Sequence, residues 1–85
     1  MRKKETIVQG MGERLKQKRH ERGWTQLIVA VELDITEQAV SQHERARHEP
    51  SLTELLKYAA LYEISTDYLL KGVPSTTTKS ISNDR

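Results

Sequence analysis

Apolar positions in this chain recur mostly at intervals of three and four, the spacing that lines up one face of a helix. Ile7, Met11 and Leu15 follow one another four apart among Lys and Arg, and the pattern stops at Gly23, a residue suited to the left-handed end of a helix. Gln26, Val29, Ala30 and Leu33 mark a second helix. A third runs from about Glu37 to Arg45, mostly polar, with Val40 and either His43 or Glu44 facing inward while Gln38, Ser41 and Gln42 point elsewhere. Leu52, Leu55, Leu56, Ala59 and Tyr62 define an amphipathic fourth helix. A short fifth, Thr66 to Leu70, stops at Gly72-Val73-Pro74.

One stretch resists this reading. In "LIVAV", Leu27 to Val31, the β-branched Ile28, Val29 and Val31 suit a strand better than a helix. Strict alternation is missing, however, and no partner strand exists elsewhere. Start signals also favour helices: Thr25 and Thr36 can each accept a hydrogen bond from a first-turn amide, and "SLTE", Ser51 to Glu54, has the Ser-x-x-Glu form of a capping box. The prediction is an all-α bundle of five helices, the second and third forming a helix-turn-helix. It spans residues 7–72, between a basic arm at 1–6 and a polar tail at 73–85 whose composition predicts disorder.

An 85-residue chain that is 35% hydrophobic and 31% charged has room for one modest core. Cysteine is absent, which excludes a disulfide framework and thiolate metal sites and favours a reducing compartment such as the cytoplasm. The longest apolar run is too short to span a bilayer, and no apolar segment of signal-peptide type follows "MRKKE". The net charge of +2 hides an asymmetry. Met1 to Arg22 holds eight Lys or Arg against three Glu, whereas the charged residues of Gly23 to Glu44 are all acidic.

Catalytic and metal-binding patterns are weak. "HERARH" superficially resembles a zinc-protease signature, but His43 and His48 are five apart where that motif needs four, which turns them to different helix faces. His43 is better read as a partly buried histidine with one hydrogen bond and a pH response. With no glycine-rich phosphate loop, no cysteine nucleophile and no serine beside a recognisable base, the chain reads as a binder with no cofactor rather than an enzyme.

Taken together, "MGERLKQKRHERGWTQ", "AVELDITEQAVSQHERARHEPSL" and "LLKYAALYEISTDYLLKG" resemble the Cro/C1-type (XRE-family) helix-turn-helix domain of lambdoid phage repressors and many small bacterial regulators. The likeness covers roughly Gly12 to Gly72, with Gly-x-Thr-Gln, Ala-x-x-Leu, Ser-x-x-Glu and Pro-Ser at fixed spacings. It implies that residues 36–45 form a recognition helix laid in the major groove of double-stranded DNA. Base-facing positions would be Glu37, Gln38 and Gln42. Gln can bond adenine through two atoms, and a carboxylate can accept from the cytosine amino group. The plainer reading of these three is a solvated face.

The resemblance also puts Gln26, Thr36, Ser41, Arg45 and Arg47, with Lys16 or Lys18, at the DNA backbone, where they position the protein rather than specify sequence. It pairs Arg19 with Glu44 as a structural salt bridge. The chain departs from the family where Asp34 and Ala46 replace glycine and His43 replaces an apolar or aromatic residue. Leu27, Ile28 and Val31 also stand where charge is usual. These three would form an exposed patch, packed on Ile7 and Val8 or on a partner protein. The "MRKK" arm could follow DNA or extend into solvent. Trp24 is expected in the core.

The resulting expectation is a transcriptional regulator that represses by occupying a palindromic operator as a homodimer, the chain being too short for an effector domain. Tyr62, Ile64, Tyr68, Leu69 and Leu70 are candidates for the dimer surface. Alternatives are an antitoxin that represses its own operon and binds a toxin, or an interaction adaptor that keeps the fold without reading DNA.

Overall fold

The computed structural model describes residues 10–72; the basic arm, Ile7 and Val8, and the tail from Val73 lie outside the described residues. Five helices follow in chain order, α1 (Met11–Glu21), α2 (Gln26–Leu33), α3 (Glu37–Glu44), α4 (Leu52–Tyr62) and α5 (Thr66–Lys71), with no strand among the described residues. The all-α architecture matches the expectation. "LIVAV" is helical because Val29 and Ala30 are buried by helical spacing while Leu27, Ile28 and Val31 point outward.

Four starts are capped as the sequence proposes or by the same chemistry. Thr25, Thr36, Ser51 and Ser65 accept from Ile28 N, Ala39 N, Glu54 N and Tyr68 N at 2.9–3.2 Å. Glu54 Oε1 completes the capping box by accepting from Ser51 N at 2.9 Å. Each such cap contributes about 1 kcal/mol. In α1, Gly10 adopts φ 80° as its cap and the helix opens at Met11; Ile7, where the expected pattern begins, lies outside the described residues.

The helix ends share one device. After α1 to α4 the chain passes through a left-handed residue, at Gly23, Asp34, Ala46 and Glu63 respectively. The next amide then reaches back five residues: Trp24 N to Arg19 O, Ile35 N to Ala30 O, Arg47 N to Gln42 O and Ile64 N to Ala59 O. This is the Schellman closure, which pairs otherwise orphaned carbonyls and turns the next side chain back toward the helix. Trp24, Ile35 and Ile64 accordingly pack on the core. Three of the four left-handed positions lack glycine.

Every helix contributes at least one fully buried residue to a single core: Leu15, Val29, Val40, Tyr58 and Leu69 are each 0% exposed. Two expectations change here. Leu52 and Leu56 are exposed, because the buried face of α4 is rotated to Leu55, Tyr58, Ala59 and Tyr62. Trp24 is half-buried, stacked on Tyr62 with Arg22 over both rings, rather than enclosed.

Candidate nucleic-acid interface

Three packed helices set the position of α3. Its inner face carries Val40 in the core and, at the C-terminal end, two buried polar residues, His43 and Glu44. Glu44 is gripped by Arg19 of α1 through two parallel bonds, Nε to Oε2 at 2.8 Å and Nη2 to Oε1 at 2.9 Å. The same guanidinium donates from Nη1 to Trp24 O, at 3.0 Å. The hydrogen bond to Glu44 holds the Arg19 pKa above its ordinary value. The predicted salt bridge is therefore present and buried. One departure matters to it: Gln26 Nε2 also donates to Glu44 Oε1, at 3.1 Å.

His43 ties α3 to α4 instead. Its Nδ1 lies 2.8 Å from the Tyr58 hydroxyl and its Nε2 lies 3.5 Å from Glu54 Oε1, two partners where the sequence suggested one. Burial pulls the imidazole pKa below its usual value, against the opposing pull of Glu54. Burial likewise raises the Tyr58 phenol.

A close backbone approach completes the frame. A Cβ placed on Gly12 would stand 2.5 Å from Glu44 O and 2.9 Å from His43 O, so α1 and α3 touch backbone to backbone at this glycine. In the sequence Gly12 stands only at the start of the family match, with no role of its own. Its signal is a glycine inside a helical pattern, which often marks such an approach. Tyr58 was missed because the apolar pattern of α4 was phased through Leu52 and Leu56.

The outer face of α3 displays the proposed DNA-reading residues. Glu37 and Gln38 are exposed at its first turn, and Gln42, one turn after Gln38, is half-buried. Thr36 is exposed, but its hydroxyl serves the helix cap. Arg45 and Arg47 are exposed just beyond the C-terminal end.

One cleft between the start of α1, the start of α2 and the end of α3 is lined by Lys16, Gln26, Ser41 and Arg45, together with Gly10, Gly12, Glu13, Glu44 and Ala46. Four of the expected backbone-contacting residues thus share one concavity. Lys18 is not among its lining residues; it pairs with Glu21 at 3.3 Å and sits 5.1 Å over the Tyr68 ring. Of the two lysines considered, Lys16 is the one at the cleft.

The apolar trio on α2 is exposed, at 55% for Leu27, 41% for Ile28 and 69% for Val31, and the proposed cover, Ile7 and Val8, falls outside the described residues. Two of the five candidate dimer residues are committed elsewhere. Tyr62 and Leu69 fill the core, leaving Ile64, Tyr68 and Leu70 partly accessible.

Comparisons with known proteins agree with this geometry. A family described as Helix-turn-helix matches residues 15–69. The HTH-type transcriptional regulator ImmR of Bacillus subtilis (strain 168) is 43% identical over 60 residues, covering 71% of this chain and 47% of ImmR. The chain spans about half the length of the curated relatives it matches. Among solved structures, the P22 c2 repressor in complex with a synthetic operator superposes with a TM-score of 0.72 at 35% identity, covering 74% of this chain and 96% of that one. The N-terminal DNA-binding domain of SinR from Bacillus subtilis gives 0.68 at 30% identity, covering 73% and 91%. Motif spacing, helix order, the buried Arg19–Glu44 pair and these matches converge, and the chain belongs to the Cro/C1-type helix-turn-helix family.

Proposed function

We propose that the protein is a sequence-specific DNA-binding transcriptional regulator that acts as a repressor by occupying its operator. The observation that carries this reading is the division of labour around α3. Exposed amide and carboxylate groups at Glu37, Gln38 and Gln42 can address base edges, while Lys16, Gln26, Ser41 and Arg45 gather in one flanking cleft suited to a backbone phosphate. Arg47 extends the cationic edge, and the exposed Thr36 at the start of α3 would face the backbone as that helix enters the groove. The P22 c2 repressor, structurally similar, was solved on an operator.

Two copies would place two recognition helices about one DNA turn apart, matching a palindromic site. Ile64, Tyr68 and Leu70 supply the accessible apolar surface for such a homodimer. A regulator that occupies operator DNA would act in the cytoplasm. The exposed Leu27, Ile28 and Val31 favour a second reading, an autorepressor of antitoxin type whose α2 patch also takes a protein partner.

Selection from a randomised DNA pool at about 150 mM salt tests the main reading. It predicts an enriched palindrome, preferred over scrambled duplex by on the order of 1000-fold, with Gln42→Ala losing discrimination at one position per half-site. Binding that shows no sequence preference and vanishes with salt would refute it.

A further inference from the structure

We infer that Glu44 is a positioning residue for DNA backbone binding, fixing the orientation of the Gln26 amide at the wall of the cleft. The inference rests on the reading of Gln26 as a backbone contact and adds how that contact is prepared. A carboxylate can only accept hydrogen bonds, so the group facing Glu44 Oε1 at 3.1 Å must be the amide nitrogen of Gln26, not its oxygen. The polarity of the amide is thereby set. One N–H is taken by Glu44, and the second is left as a donor for an anion entering the cleft that Gln26 lines with Lys16 and Arg45.

Arg19 has a second duty in this arrangement. A bare carboxylate beside a phosphate site would repel the ligand, but Glu44, its side chain 2% exposed, has both oxygens engaged by the Arg19 guanidinium. Glu44 therefore acts as an orienting acceptor with its charge balanced from behind. The chain of contacts runs Arg19, Glu44, Gln26, then phosphate, crossing from α1 to α3 to α2.

A merely structural salt bridge makes a different prediction, and the two can be separated without knowing the operator. Phosphate contacts are independent of sequence, so a generic duplex of about 20 base pairs at about 50 mM salt is a sufficient probe. Gln26→Ala is measured in the native chain and in R19M/E44L. That paired replacement substitutes apolar groups of similar volume for the ion pair, a change that commonly preserves stability, and urea denaturation verifies that it folds.

The expected result is a cycle that does not add. Gln26→Ala weakens the native chain about tenfold, R19M/E44L alone weakens binding roughly 3- to 10-fold as the amide loses its fixed rotamer, and Gln26→Ala then adds less than about twofold. Should R19M/E44L fail to fold, R19Q/E44M takes its place in the same cycle, because it removes both charges and leaves position 44 without an oxygen acceptor for Gln26.

Native affinity in the folded double variant, or an equal Gln26→Ala penalty in both backgrounds, would overturn the tether while leaving Gln26 at the DNA. No effect of Gln26→Ala in the native chain would remove the backbone contact and the tether together. The randomised-pool selection decides sequence specificity separately.

Discussion

Gly12→Ala sets two known effects against each other, and the structure decides which prevails. Replacing glycine by alanine in a helix ordinarily gains up to about 1 kcal/mol from backbone entropy. Gly12 lies in the first turn of α1, where that gain is smaller. Against it, the added methyl would stand 2.5 Å from Glu44 O and 2.9 Å from His43 O, about 0.9 and 0.5 Å inside ordinary contact. Both obstacles are backbone atoms at the end of α3, so no rotamer change relieves them and the two helices must separate.

Overpacking of this kind costs about 1–3 kcal/mol, leaving a net loss of about 1–2 kcal/mol. With a urea slope of about 1 kcal/mol per M for so small a domain, the midpoint should fall by about 1–2 M. Affinity for duplex DNA should fall as well, because the displaced atoms belong to α3, the proposed recognition helix. A midpoint equal to or above that of the native protein would show that α1 and α3 are not in backbone contact at Gly12.

Other perturbations test other parts of the frame. Ala46→Gly and Glu63→Gly relieve left-handed positions at φ 60° and 57°, and each should stabilise by about 0.5–1 kcal/mol, read as a raised urea midpoint; a drop for both would contradict the Schellman closures. Arg19→Met strands the buried Glu44 carboxylate and should cost about 3–5 kcal/mol, whereas a thermal midpoint within a few degrees of native would argue that the pair is hydrated.

Tyr58→Phe removes the partner of His43 Nδ1 and should cost about 1–3 kcal/mol in urea denaturation, an estimate that a neutral variant would disprove. Because burial lowers the His43 pKa, the unfolded chain takes up this proton first on acidification. The His43 contribution to stability is thus intact above about pH 6.5 and is lost as pH falls from there through the lower folded value. Stability curves from pH 8 to 5 should flatten in His43→Gln; identical slopes would rule out this histidine as the cause.

Much of this was legible in the sequence because short-range rules dominate it. Thr25, Thr36 and the Ser51–Glu54 box are local hydrogen bonds, and they set helix starts that tertiary packing did not alter. The less legible features are those a one-dimensional pattern cannot phase. α4 presents leucines at Leu52, Leu55 and Leu56 with tyrosines at Tyr58 and Tyr62, and only the position of α3 determines that Tyr58, bonded to His43, turns inward while Leu52 and Leu56 remain outside. Likewise Glu63 gives no sign of a left-handed conformation, being imposed there by the Ile64 amide closing on Ala59. In the sequence Gln26 marks the face of α2 and, through the family resemblance, a DNA backbone contact. Its bond to Glu44 depends on two helices meeting, which spacing along either helix does not reveal.

Adjacent residues at the end of α3 divide the task of holding it. His43 reaches α4 through Tyr58 and Glu54, while Glu44 reaches α1 through Arg19 and α2 through Gln26, so three helices are fastened to two consecutive positions. Directional polar bonds fix orientation as well as distance, adding to what the close-packed contacts at Val40 and Gly12 already hold. The opposite end is built differently. Thr36 caps it, and Glu37 and Gln38 stand exposed at its first turn, unburied by any neighbouring helix. The polar bonds thus hold the C-terminal end while Val40 and the Ile35 turn hold the rest of the inner face, and in the proposed reading this rigidity would fix where Gln38 and Gln42 meet the bases. Core substitutions that loosen the His43 or Glu44 contacts should therefore reduce discrimination between DNA sequences before they unfold the protein.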